Sequence, residues 1–309
     1  MKRSTVAWGV AGIGCAFLVL LVAAAFLVSG AVARGGARSD GLGFALGGGR
    51  VGVVDLDGVI LSADRFRETL KRFHDAANVK AVVVRINSPG GGVAASQELN
   101  REIARFRRET KKPVVVSMES VAASGGYYAA VSADHIVANP GTITGSIGVI
   151  IQWVNYGDLL EWAKLRAVTI KSGALKDSGN PTRPISDEDR AYFEDLIQKL
   201  RAQFVGAVTE GRKAKLKPGA MDRMADGRVV TGEEALSLGL VDEIGDYRDA
   251  VDRAARLAGM SLPAEVWHPR PQRPGLLEFL SGGPSESSIA GRLLSGAPVG
   301  GGWNVFFLW

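Results

Sequence analysis

A single cysteine, Cys15, and three histidines are all that 309 residues provide of the side chains most often used for disulfides and transition metals. One thiol cannot close an internal disulfide, and no multi-cysteine metal site can form around it. Cys15 lies in an uncharged apolar run, and Gly12 stands where a lipid-attachment motif needs leucine, so it reads as a lipid-facing thiol. Histidine is also poorly placed for acid–base work. His74 lies in a charged helical pattern, His268 lies near the tail, and His135 sits in a short strand-like run, Asp134-His135-Ile136-Val137-Ala138. Phosphate-loop spacing is absent as well: no Lys-Ser or Lys-Thr follows the glycine-rich stretch, and Gly-x-Gly-x-x-Gly is not satisfied. The excess of basic over acidic side chains is small, 37 against 32, which describes a mixed solvated surface and no nucleic-acid partner. There is no repeat array.

What the chain does hold begins with an apolar N-terminus. Met1-Lys2-Arg3 precedes residues 6–33, which carry no charge. About 20 helical residues cross a ~30 Å hydrocarbon core, so this run can span. Ala31-Val32-Ala33 looks like a cleavage site, but the run is longer than the apolar core of a cleavable signal peptide, which favours a retained anchor. Lys2 and Arg3 against Arg34 and Arg38 place residues 1–5 in the cytoplasm. The expected organisation is a single-pass anchor (6–33) in the cell (inner/cytoplasmic) membrane, a linker (34–50), an extracytoplasmic folded domain (51–260) and a low-complexity tail (261–309).

Within the domain, residues 51–56, 81–86 and 114–118 are short Val-rich runs bounded by turn residues, as in strands buried on both faces. Further strands are expected at 135–138, 148–152 and 167–170. Helical spacing marks 66–77 and 94–106, and a capping-box signal, Ser186 with Asp189, opens a helix to about Arg212. Thr231-Gly232-Glu233-Glu234 repeats that signal. The alternation predicts an α/β fold with a mainly parallel sheet.

Two glycine-marked segments follow strands, at the end where open α/β sheets place ligands. In Ile86-Asn87-Ser88-Pro89-Gly90-Gly91-Gly92, backbone N–H groups can face a cleft without Cβ obstruction, as an oxyanion hole requires; a tight turn with no ligand is the alternative. In Ser117 to Tyr128, Ser124 precedes Gly125-Gly126 at the start of an apolar helix (125–133), where amides and dipole favour an oxyanion. A serine there can also simply cap the helix. Ser88, Ser117 and Ser120 are rival nucleophiles by type, but only Ser124 combines a following Gly-Gly with a helix start. The base is open between a histidine and a lysine such as Lys176, in the loop Lys171-Ser172-Gly173-Ala174-Leu175-Lys176-Asp177. At an ordinary pKa near 10.4 only about one lysine in a thousand is neutral at pH 7.4, so a lysine base needs desolvation and Asp177 turned away from it.

Asn87-Ser88-Pro89-Gly90-Gly91, Ser120-Val121-Ala122-Ala123-Ser124-Gly125-Gly126-Tyr127-Tyr128, Thr142-Ile143-Thr144-Gly145-Ser146-Ile147-Gly148 and the Lys171–Asp177 loop occur in this order. Together they resemble the signal peptide peptidase SppA family, over roughly residues 51–258. The resemblance implies a Clp-protease/crotonase-like spiral α/β fold and a Ser/Lys dyad. It puts the nucleophile on Ser124, the general base on Lys176, a lysine-orienting hydroxyl on Ser146 and the oxyanion hole on the backbone of Gly91 and Gly125. A single domain copy resembles the short form. No metal or organic cofactor is implied. The implied partners are peptides such as cleaved signal peptides, membrane lipid around the anchor, and further copies of the chain in a ring-like homo-oligomer. Ala174-Leu175 departs from the family's usual Tyr or His there.

Overall fold

The computed structural model describes residues 49–269 and 305–307, so the anchor expected at 6–33 lies outside the described residues. Among the described residues, no helix is long and apolar enough to cross a membrane. The Val-rich runs form β1 (Arg50–Asp57), β2 (Val79–Ser88) and β4 (Val114–Ala123), paired in parallel, with a register irregularity between β2 and β4 at Ile86–Ser88. Alternate side chains leave opposite faces of a strand. Val54, Val84 and Met118 therefore join one core and Val53, Val83 and Val115 the other. Burial on both faces explains why these strands read as continuous apolar runs.

Helices α1 (Asp64–Asp75) and α2 (Val93–Thr110) cover the first face, burying Phe66, Leu70 and Phe73, and Leu99, Ile103 and Phe106. The four-then-three spacing puts each set on one helical stripe. Helix α8 (Tyr247–Leu257) covers the second face with Ala250, Val251, Ala254 and Ala255.

β4 changes partners along its length. Its first half pairs with β5 (His135–Ala138) and its second with β6 (Ile143–Gly145), to which β8 (Val229–Thr231) adds antiparallel. The remaining helices are α3 (Gly125–Ala130), α4 (Gly157–Trp162), α5 (Asp187–Arg212), α6 (Ala220–Met224) and α7 (Gly232–Leu238). Ser186 and Asp189 close the expected capping box on α5, and Thr231 accepts from the Glu234 N–H at the start of α7.

Three expectations need revision. Residues 167–170 form no strand: Val168 and Ile170 are 86% and 97% exposed, because no sheet edge reaches this apolar run. Of 148–152 only β7 (Ile150–Ile151) is extended. The sheet also continues beyond 260, since β10 (Glu265–Trp267) pairs in parallel with β1 and Trp267 packs edge-on against Phe73 at 5.4 Å. Three residues are too few to show a period, which hid β10 in the sequence.

Beneath the sheet, the fully buried Arg212 donates to both oxygens of Asp242 at 2.8 and 2.9 Å and to the Gly239 carbonyl at 3.0 and 3.1 Å. Asp242 also accepts the Ile136 N–H at 2.8 Å, tying α5 to β5. Burial raises the Asp242 pKa, but hydrogen bonds from and attraction to Arg212 outweigh it, holding it below its ordinary value. Arg212→Met leaves that carboxylate buried without its main partner, and is expected to cost about 3–5 kcal/mol in urea unfolding. Recovery of part of that loss in Arg212→Met/Asp242→Leu would show that the orphaned charge, not lost packing, is responsible.

Candidate active site

Ser124 sits where β4 turns into α3, with φ 50° and ψ −116°, a region that non-glycine residues rarely occupy. Its N–H donates to the Gly145 carbonyl at 2.8 Å, and its carbonyl accepts the Tyr128 N–H at 2.8 Å. The residue is fully buried, yet its Oγ makes no hydrogen bond to the helix or to any other group. The hydroxyl therefore does not cap α3.

The two following glycines let this corner pack against the turn after β2. A Cβ on Gly125 would lie 2.3 Å from Ser96 Oγ and 3.1 Å from the Gly91 nitrogen. One on Gly91 would lie 2.1 Å from the Ile60 carbonyl oxygen. Gly91 belongs to β3 (Gly91–Gly92), held by hydrogen bonds from Ile60 N–H to the Gly90 carbonyl and from Gly92 N–H to the Ile60 carbonyl, both 2.8 Å. As the first residue of α3, Gly125 has an N–H without an intrahelical acceptor. Glycine is thus required by close backbone approach, which brings the Gly91 and Gly125 backbones together beside Ser124.

Ser146 reaches the same corner by register. β4 and β6 pair Ala123 with Gly145, so the next residues on each strand, Ser124 and Ser146, end side by side. Ser146 also has positive φ, 52°, is buried, and donates its N–H to the Arg228 carbonyl at 2.8 Å. The rival serines are otherwise engaged or placed: Ser88 Oγ accepts the Gly90 N–H at 3.1 Å, Ser117 shares the α8 face with Val115, and Ser120 is exposed.

Lys176 stands apart. It lies exposed on a 3-10 turn (Ala174–Asp177) and does not bond to Ser124 Oγ. That turn is part of an arm, residues 157–181, closed at its neck by hydrogen bonds from Tyr156 N–H to the Pro181 carbonyl at 2.8 Å and from Asn155 Nδ2 to the Arg183 carbonyl at 2.7 Å. Asp177 turns to Lys171, at 2.5 Å, and to Arg183 Nε, at 3.1 Å, leaving Lys176 without it. Arg183 also donates to Asp189 at 2.5 Å, which fixes the arm to the start of α5. Hydrogen bonds from Arg183 and Lys171 bring the Asp177 pKa down to about 2. The lowered value means this anchor adds stability above the unfolded carboxylate's pKa near 3.9 and loses it as pH falls towards 2.

The histidines serve elsewhere. His135 bonds Glu243 at 2.9 Å and pairs in register with Val115, roughly 30 Å along β4 from Ser124. His74 bonds Asp75 at 3.0 Å, and His268 meets the Tyr247 hydroxyl at 3.1 Å. A polar hollow lined by Arg85, Glu119, Asn139, Thr142 and Tyr247 lies away from Ser124, and an Arg85–Glu119 ion pair occupies it. Among the described residues, no cluster of three His, Cys, Asp or Glu side chains could hold a metal. Sequence reasoning missed Ser96, which packs beneath Gly125, and Arg183, whose two carboxylate partners are evident only after folding.

A buried, unpartnered serine on a left-handed corner, beside two closely apposed glycine backbones, defines a serine-peptidase type of site. The model of peptidase family S49 matches residues 106–261, and the chain belongs to that family. It is 39% identical over 187 residues to an Enterococcus faecium protein provisionally named signal peptide peptidase SppA, covering 60% of this chain and 54% of that one. A provisionally named protease of Methanocaldococcus jannaschii is 38% identical over 199 residues, 64% of this chain and 63% of its own. One from Synechocystis is 39% identical over 213 residues, 68% and 75%. The chain thus spans about half to three quarters of the length of these curated relatives.

The unbonded hydroxyl makes a stability prediction. Replacing a capping serine with alanine costs about 1 kcal/mol. Ser124→Ala instead removes a buried, unsatisfied hydroxyl, and should leave the protein as stable as the parent or up to about 1 kcal/mol more so. Thermal melts of the two proteins decide it, and a clear loss of stability would restore the capping role.

Proposed function

We propose that this chain is a membrane-anchored serine endopeptidase that hydrolyses apolar peptides, among them residual signal peptides, at the extracytoplasmic face of the cell membrane. The observation that carries the reading is Ser124: a strained, buried nucleophile type with an unengaged Oγ, next to the Gly91 and Gly125 backbones. Membership of family S49 and the name of the Enterococcus faecium relative support the peptide substrate. The uncharged run at 6–33 supports the anchor and the location.

In the proposed reaction Ser124 Oγ attacks the scissile carbonyl carbon and passes its proton to the neutral amine of Lys176, oriented by the Ser146 hydroxyl. The carbonyl oxygen becomes an oxyanion facing the N–H groups of Gly91 and Gly125. Collapse breaks the C–N bond, Lys176 returns the proton to the leaving amine, and an acyl-enzyme ester remains. Water, deprotonated by Lys176, hydrolyses that ester and regenerates Ser124. No metal or cofactor takes part.

The base comes from a neighbouring copy. Within one chain Lys176 rides an exposed arm, and the arm's Trp162, Val168 and Ile170 are 79%, 86% and 97% exposed. Apolar side chains bared together on a shaped segment mark an interaction surface. A closed ring of copies buries them, delivers each Lys176 to the next Ser124, and strips water from the amine so that the neutral form is favoured.

Ser124→Ala and Lys176→Ala are each expected to abolish cleavage of an apolar peptide. Denatured together in equal amounts and refolded, the two dead proteins should regain about a quarter of parental activity, because one site in four then joins two intact residues. No recovery from a mixture that reassembles would place both residues of the dyad in one chain, and full activity of either variant would end the dyad assignment.

A further inference from the structure

One buried side chain touches both of the backbone segments proposed to hold the oxyanion. Ser96, in the first turn of α2, is fully buried. Its Oγ donates to the carbonyl of Gly92, the residue after Gly91, at 2.9 Å. The same oxygen stands 2.3 Å from where a Cβ on Gly125 would lie, so it packs directly against that glycine's backbone. A serine that bonds to the carbonyl four residues back along its helix is ordinary by itself. Here that carbonyl belongs to the glycine turn, and the same oxygen also meets the residue that follows Ser124.

The other fastenings of the turn show what Ser96 adds. Ser88 Oγ accepts the Gly90 N–H at 3.1 Å, the Ile60 N–H donates to the Gly90 carbonyl at 2.8 Å, and the Ile60 carbonyl accepts the Gly92 N–H at 2.8 Å. With the Ser96 bond, the N–H and the carbonyl of both Gly90 and Gly92 are held, and none of Ser88, Ile60 and Ser96 takes the Gly91 N–H. Ser88 ties the turn to the end of β2, and Ile60 ties it to the connection between β1 and α1. Of the three, Ser96 is the one nearest Gly125, so it joins the turn to the segment that carries the nucleophile. The Gly91 nitrogen lies 3.1 Å from the same Cβ position on Gly125, which places the Ser96 hydroxyl as a spacer between the two glycine backbones.

We infer that Ser96 is a positioning residue of the oxyanion hole, its hydroxyl setting the separation and aim of the Gly91 and Gly125 N–H groups. The inference rests on the peptidase reading above and adds a residue to its machinery. Donors stabilise a developing oxyanion most when they already point at it, so a donor that drifts loses transition-state binding while the resting substrate is bound as before. Ser96→Ala removes at once the bond to Gly92 and the oxygen packed on Gly125. Both N–H groups stay in the protein, so the loss is smaller than the roughly 100- to 1,000-fold that follows deletion of an oxyanion donor.

The test compares the full chain with Ser96→Ala and Ser96→Gly, truncations that introduce no clash. Ser132→Ala is the control for a merely structural hydroxyl, since Ser132 Oγ donates to the Asn100 carbonyl of α2 at 3.0 Å. Ser96→Ala should lower kcat for a short apolar peptide about tenfold with KM unchanged, and Ser96→Gly at least as much. A peptide boronate, whose adduct on Ser124 is tetrahedral and negatively charged, should bind both variants more weakly by about the factor lost in kcat. The control should match the parent in kcat and in boronate affinity. Unchanged kcat in the two variants, a loss carried by KM, or a fall in kcat with boronate affinity unchanged overturns the inference. If the parent cleaves no peptide, the peptidase reading fails and fluorophosphonate labelling of Ser124 decides, because the phosphoryl oxygen seeks the same N–H groups. Slower labelling in both variants then supports the positioning role, and equal labelling, or none in the parent, sinks it.

Discussion

The φ of 50° at Ser124 is sustained by the close approach of three backbone segments: the turn carrying Gly91, the first residues of α3, and the end of β6. Such a conformation costs of order 1–3 kcal/mol and persists only where its surroundings fix it. Here the Ser124 N–H is held by Gly145, and Gly125 has no room for a side chain against Ser96 and Gly91. The rest of the domain can be understood as support for that meeting. The parallel pairing of β1, β2 and β4 brings their C-terminal ends together, and the double burial of those strands makes their positions stiff.

β4's change of partner is what admits Ser146. A strand paired with β5 throughout would present only the end of β5 to Ser124. Because β6 takes over beside Val121–Ala123, a second positive-φ serine arrives at the corner, and β8 fixes β6 from its other side. Two strand ends with positive-φ serines thus converge, one bearing the proposed nucleophile and the other the proposed orienting hydroxyl.

Much of this was legible in the chain. Valine runs bounded by turn residues marked β1, β2 and β4, because burial on both faces leaves a continuous apolar signature. Ser186 with Asp189 marked the start of α5, a signal that is local by nature. Ser124, Gly91 and Gly125 were marked by the types of residue that a tight corner tolerates. What escaped notice depends on distant partners. Residues 167–170 have the composition of a strand but no sheet edge to join, β10 is three residues long, and β11 (Val305–Phe307) pairs across more than 150 residues of sequence with both Gly92 and Ile150. The exposure of Lys176 was equally hidden, since it depends on where the arm points once Arg183 has taken both Asp177 and Asp189.

That arrangement around Arg183 has an implication for assembly. Ordering a loose segment at an interface costs conformational entropy for every residue immobilised, and weakens association accordingly. An arm already closed at its neck by Tyr156 and Asn155, and locked to α5 through Arg183, has met much of that cost during folding of the single chain. In the proposed ring, copies of the protein would then meet as shaped bodies. The speed of their joining would be set by diffusion and orientation, and the arm's sequence would be free to vary in its apolar contacts as long as the charged lock at its base is kept.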